Sequence, residues 1–263
     1  MHNCYGKKEH IMIYFKHKGV YNMARKGTMN MYTIESEFLQ ENMNIKVYEP
    51  EQYDAIYERQ ICIMQDGDDY FNMGRVATVS DRLHDEDELI NTIFVGIHYM
   101  DREDRWRKYY PLGDQHEAYK NFLLKEVLPF LEALLPIHPL GTTYSLMGDS
   151  LAATFALILG TENPNTFSSI ILQSPLVDEP VLNIVEDVHD FNQLTIYHSI
   201  GLQEDAVITT KDEGMDFIEP NKQLHALLQK RNNDYTYTEI DVGNHTWKHW
   251  QKELPDVLTH ILG

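Results

Sequence analysis

A chain of 263 residues, 43% hydrophobic and 24% charged, is long enough for one large α/β domain with extras and too apolar to stay disordered. Its formal net charge of -19 repels phosphate backbones and anionic lipid headgroups, which argues against nucleic-acid and membrane partners. Of its two cysteines, Cys62 lies inside an apolar run, so a disulfide framework is not expected; no apolar run reaches membrane-span length, and the expected location is the cytoplasm.

Residues 1–28 are basic and aromatic (Lys7, Lys8, Lys16, Lys18, Arg25, Lys26), opposite in sign to the whole. They read as a poorly packed N-terminal extension, a candidate non-native segment with Met29 or Met31 as the natural start, and residues 29–263 as a single domain. Residues 31–39 and 43–49 then read as an antiparallel strand pair that Pro50 ends. Residues 61–65 form a short apolar strand running into Asp66-Gly67-Asp68-Asp69-Tyr70. Three acids in four residues suggest calcium, but the twelfth position of an EF-hand loop counted from Asp66 is Ala77, and no metal is expected. The loop is read instead as a contributor of backbone N–H groups, from Gly67 and Asp68, to an oxyanion hole.

Residues 81–88 form an acidic surface segment, and 92–98 a strand apolar along its length, as buried parallel strands are. A charged aromatic loop is expected over 101–111. Ligands of open α/β sheets sit past the carboxyl ends of strands, which makes Tyr70, His98 and Arg105 candidate substrate contacts. Residues 116–135 carry apolar side chains at helical spacing, from Phe122 to Leu134.

Residues 142–160 carry the strongest signal. An apolar, β-branched run breaks at Gly148-Asp149-Ser150-Leu151-Ala152 and resumes as an Ala/Leu-rich helix. A serine on a sharp strand-to-helix turn, flanked by small residues two before and two after, is the nucleophile elbow of an α/β-hydrolase. Ser150 is then the candidate nucleophile, and the Leu151 N–H one half of the oxyanion hole; an ordinary serine N-cap would read the same over five residues. What decides is the order of partners downstream. Residues 169–174 and 194–200 are two more strands, the second followed by Glu204 and Asp205, either of which can be the triad acid. A helix over 221–230 and an alternating edge strand over 235–242 lead to Gly243-Asn244-His245, then a final helix to about Leu262. Serine, acid, histidine is the chain order this fold uses, each after its own strand. His245 is the candidate base; with His249 it has the spacing of a zinc-binding helix, but Thr246 stands where a metalloprotease needs its glutamate. Residues 148–151 also spell Gly-Asp-Ser-Leu, the signature of a flavodoxin-like esterase superfamily, yet they lie mid-chain, and Asp241 precedes His245 by four positions rather than three.

With these residues in view, the chain from about Tyr32 onward resembles the putative-esterase family of α/β-hydrolases, which contains enterochelin esterase and esterase D-type enzymes. The resemblance is carried by Met64-Gln65-Asp66-Gly67-Asp68-Asp69-Tyr70, Gly96-Ile97-His98 with Asp104-Arg105, Met147-Gly148-Asp149-Ser150-Leu151, Gln173-Ser174-Pro175, Gly201-Leu202-Gln203-Glu204, and Gly243-Asn244-His245-Thr246-Trp247 with Trp250. It implies an α/β-hydrolase fold: a mostly parallel central sheet, an antiparallel N-terminal strand pair and helices on both faces. It also implies Ser150 as nucleophile, His245 as base and, by position after the strand-ending glycine, Glu204 as acid; the run from Asp205 to Ile208 resembles the commoner hydrolase acid loop and keeps Asp205 open. Ala152 departs from the glycine usual in the family. The expectation is a serine esterase acting on a small carboxylic ester without a cofactor. The alternatives are a catalytically weak hydrolase fold used for binding, acyl transfer to an acceptor other than water, and the flavodoxin-like esterase.

Overall fold

The computed structural model describes residues 15–17, 26–51, 59–89, 91–135, 141–188, 190–209, 214–231 and 233–263. In chain order the strands are β1 (Phe15–His17), β2 (Thr28–Ser36), β3 (Glu41–Glu49), β4 (Arg59–Met64), β5 (Thr92–Ile97), β6 (Thr142–Asp149), β7 (Ser169–Gln173), β8 (Thr195–Gly201), β9 (Val207–Ile208), β10 (Gly214–Met215) and β11 (Asp234–Ile240). All but β9 and β10 join one sheet in the order β1-β2-β3-β5-β4-β6-β7-β8-β11, and those two form a separate antiparallel pair. Strands β1, β2, β3 and β5 pair antiparallel, and every pairing from β5 across to β11 is parallel. The sheet is that of an α/β-hydrolase. A Gly-Asp-Ser-Leu stretch at the end of its β6 excludes the flavodoxin-like alternative.

Successive side chains of a strand point to opposite faces, and the core divides accordingly. Ile61, Ile63, Val95, Leu146 and Ile170 belong to one buried cluster, with Tyr109, Tyr119 and Phe155 packed into it; Cys62, Met64, Phe94, Met147 and Ile171 belong to the other, with Tyr70, Leu83, Leu254 and Leu258. Both faces are therefore covered by helices, which is why β4, β5 and β7 carry unbroken apolar runs, Ile61–Met64, Ile93–Val95 and Ile170–Leu172.

The helices are α1 (Gly67–Asn72), α2 (Val76–Asp85), α3 (Arg102–Tyr109), α4 (His116–Phe122), α5 (Leu128–Leu134), α6 (Ser150–Glu162), α7 (Glu179–Asp187), α8 (Ile218–Leu228) and α9 (Trp247–Leu262), with a π-helical turn at Leu123–Val127 joining α4 to α5. Two expectations are corrected here. The charged stretch 101–111 is mostly helix: Asp101 caps α3 by accepting from the backbone N–H groups of Glu103 (3.0 Å) and Asp104 (2.9 Å). The loop after β4 is the first turn of α1. The acidic segment 81–88 lies at the surface as expected: it begins as the second half of α2, which turns Leu83 and His84 inward and leaves Asp85 to Glu88 exposed.

Of residues 1–28, only 15–17 and 26–28 are among those described, and the expectation for the rest lies outside them. Lys26 and Gly27 are tied to the domain: the Lys26 N–H donates to Asp81 (3.0 Å), its ammonium pairs with Asp85, and the Gly27 N–H donates to the Tyr48 hydroxyl (3.0 Å).

Candidate active site

The elbow forms because β6 runs into α6 with no room to turn gently. Ser150 has φ 51, left-handed backbone that an L-residue adopts at a cost. A Cβ on Gly148 would stand 2.4 Å from the Ala152 carbonyl carbon, so only glycine lets strand and helix approach this closely. Ala152 itself is fully buried in the same contact and is accommodated.

Ser150, Glu204 and His245 follow the carboxyl ends of β6, β8 and β11. The structure brings the three together: Ser150 Oγ lies 2.9 Å from His245 Nε2, and His245 Nδ1 lies 2.7 Å from Glu204 Oε2. With Nδ1–H donating to the carboxylate, Nε2 is left as acceptor for the serine proton. Asp205 is exposed, so between the two acids only Glu204, 1% exposed, reaches the imidazole.

Glu204 is held from behind by residues that the sequence did not single out for this task. Its Oε1 accepts from the Ser174 hydroxyl (2.8 Å) and the Gly201 N–H (3.0 Å), and the Trp250 indole N–H donates to Ser174 Oγ (3.1 Å). Ser174, at the end of β7, is also left-handed, with φ 47. The turns that carry acid and base are bonded to each other, Gln203 N–H to Gly243 O (2.9 Å) and Leu202 N–H to Ile240 O (3.0 Å). His245 is wedged between the rings of Phe217 (4.4 Å between centroids) and Trp250 (4.9 Å). His249 accepts the Asn244 N–H at 2.7 Å through Nδ1, a structural task.

A cleft of about 220 Å³ opens over Ser150, smaller than most drug-sized ligand sites. Asp66, Asp69 and Asp149 line it with Arg102 and Arg105, the rings of Tyr99, Trp106 and Trp250, and the apolar Leu151, Leu176 and Ile208. Arg105 is at the cleft as expected, but its guanidinium is engaged by the buried Asp66, with NH2 at 2.6 Å and Nε at 2.8 Å from Oδ2. That pairing was invisible in the sequence because its members stand 39 positions apart.

Tyr70 and His98 are not at the cleft. Tyr70 is fully buried, donates to Gln173 Oε1 (2.8 Å) and packs edge-on against Trp247. His98 faces Asp68 (3.2 Å), and burial pushes its imidazole down to about 4. Gly67 and Asp68 do not line the cleft either: Gly67 packs on Gly96 of β5, and the Asp68 side chain pairs with Lys46. The backbone N–H groups of Gly67 and Asp68, at the first turn of α1, have no intrahelical acceptor. Among the described residues no helix is long and apolar enough to cross a membrane.

Comparison with known proteins bears on the family and the fold. A profile of the family described as Putative esterase matches residues 36–261. The "Uncharacterized protein YjcH" of Bacillus subtilis (strain 168) is 38% identical over 238 residues, 90% of this chain and 99% of that one. Among solved structures, the enterobactin esterase FES from Shigella flexneri superposes with a TM-score of 0.76 at 19% identity, over 90% of this chain and 60% of its own. An S-formylglutathione hydrolase from Agrobacterium tumefaciens superposes with a TM-score of 0.70 at 15% identity, over 92% and 98%. At such identities the structural likeness speaks for the fold.

Proposed function

We propose that this chain, which belongs to the putative-esterase family of α/β-hydrolases, is a serine esterase that hydrolyses a small carboxylic ester through an acyl-enzyme. The reading is carried by the unbroken relay from Ser150 through His245 to Glu204, at 2.9 and 2.7 Å. A serine hydroxyl is a poor nucleophile until an imidazole takes its proton, and a buried carboxylate fixes the tautomer that can take it. The Ser150 proton passes to His245 Nε2 as Oγ bonds to the ester carbon, and the carbonyl π pair moves onto oxygen. That oxyanion is received by the Leu151 N–H at the start of α6; losing one such donor typically costs about 3 kcal/mol in the barrier. Collapse expels the alkoxide, which takes the proton back from Nε2. Water then repeats the sequence on the acyl-enzyme, releasing the acid and restoring Ser150.

The small volume of the cleft favours short acyl and alcohol groups. The test is covalent labelling of the folded protein by a fluorophosphonate, together with turnover of short-chain nitrophenyl esters by wild type and Ser150→Ala. Labelling confined to Ser150 and turnover abolished in the variant support the reading. A folded protein that neither labels nor turns over is a hydrolase fold used for binding.

A further inference from the structure

Among the described residues, one of the cleft's three aspartates is held in an ion pair and two are not. Asp66 is neutralised by Arg105, and Arg102 is exposed at the rim. Asp69 and Asp149 form no ion pair among the described residues; Asp69 has only the Tyr99 hydroxyl, at 3.3 Å. Asp149 stands one position before the nucleophile, is 4% exposed, and its Oδ1 is buried with no hydrogen-bond partner. Leaving a carboxyl oxygen in that state is costly unless a ligand supplies a donor. Burial and the neighbouring Asp66 charge lift its carboxyl well above the usual range, and a cation alongside would favour the ionised form again. Tyr99, Trp106 and Trp250 also line the cleft, and ring faces attract ammonium groups. A protein of net charge -19 also draws cationic ligands toward its surface.

We infer that this cleft selects esters bearing a protonated amine, received by Asp149 and Asp69 among the rings of Tyr99, Trp106 and Trp250. The inference rests on the esterase reading above and names its substrate class.

The test compares 2-(dimethylamino)ethyl acetate with 3-methylbutyl acetate at neutral pH. The two have nearly the same shape and differ in N–H⁺ against C–H; each kcat/KM is divided by the rate of hydroxide hydrolysis of that ester to remove intrinsic reactivity. Wild type should favour the ammonium ester by about ten-fold or more, the size of one charge-assisted hydrogen bond. The ratio should fall toward one in Asp149→Asn and to an intermediate value in Asp69→Asn, which keeps the test alive if the first variant fails to fold. In Ser150→Ala, binding followed by ligand-observed NMR should show the ammonium ester and not its neutral twin. A wild-type ratio of one, or a ratio that neither variant changes, overturns the substrate class and leaves the esterase standing. Failure to hydrolyse either ester while Ser150 still labels does the same, whereas failure to label removes both.

Discussion

Replacing Ser174 with alanine tests how the relay is held. Its hydroxyl donates to Glu204 Oε1 and accepts from the Trp250 indole N–H, so one substitution removes a bond from each of two buried groups. A hydrogen bond to a buried carboxylate contributes about 1.5–3 kcal/mol and an orphaned donor costs about 1–3 kcal/mol; the Gly201 N–H still holds Oε1, so the sum should fall near 2–4 kcal/mol of unfolding free energy. For a domain of this size that is a Tm lower by roughly 5–15 °C. Freed on one side, Glu204 no longer fixes the imidazole, and kcat should fall about ten-fold with KM unchanged, since Ser174 does not line the cleft. Ser174→Gly is the control: it loses the same bonds but relaxes the φ of 47, so it should be as slow as the alanine variant and more stable. Thermal unfolding and steady-state kinetics on a nitrophenyl ester read both. An alanine variant with wild-type kcat would show that the second bond to Glu204 has no bearing on the reaction.

Glu204→Gln should lower kcat by about 10⁴ while Asp205→Asn stays within about two-fold, by the same kinetic assay; the reverse order would move the acid to Asp205. Gly148→Ala, which puts a methyl 2.4 Å from the Ala152 backbone, should destabilise by about 3 kcal/mol or more in denaturant unfolding, and a near-wild-type midpoint would mean that the elbow can open. Glu253 accepts from Ser199 (3.0 Å) and Gln173 behind the sheet, and burial raises its carboxyl to about 7. A raised carboxyl binds more protons folded than unfolded, so its contribution is full below about 4.5 and is lost as pH rises through about 7. The stability of wild type minus Glu253→Gln should therefore decline by about 3 kcal/mol across that window; a constant difference would refute it. His198 and His116, pushed down to about 4 by burial, act in the opposite sense, stabilising above the usual histidine range and failing as pH falls, but they cancel in this difference.

What could be read from the sequence was whatever a single stretch of chain must do by itself. The elbow needs small residues at fixed offsets from Ser150, and strands buried on both faces carry unbroken apolar runs in their middles, so both announce themselves locally. Helix α3 does not: three of its four inward residues are Asp104, Arg105 and Lys108, whose charges are met within the helix and by Asp66 and Glu41 from distant positions, and its pattern reads as a solvated loop. Tyr70 and His98 were drawn toward the site by their place after strand ends, which fixes their height along the sheet and not their direction. The backing of Glu204 by Ser174 and Trp250, the latter 76 positions later, arises only when β7 and α9 are packed. The pair β9–β10, two residues in each strand, is too short to leave a periodic signal.

The turns after β8 and β11 are fastened by main-chain bonds and by Gly201 lying against Gly243, where a Cβ would meet the Gly243 oxygen at 2.4 Å. The carboxylate and imidazole therefore keep their spacing whatever the chain between Asp205 and Phe217 does, although that span supplies Ile208 and Thr209 to the cleft. It is accordingly the place for insertions or randomised libraries: specificity can be rebuilt there while proton transfer stays in tune.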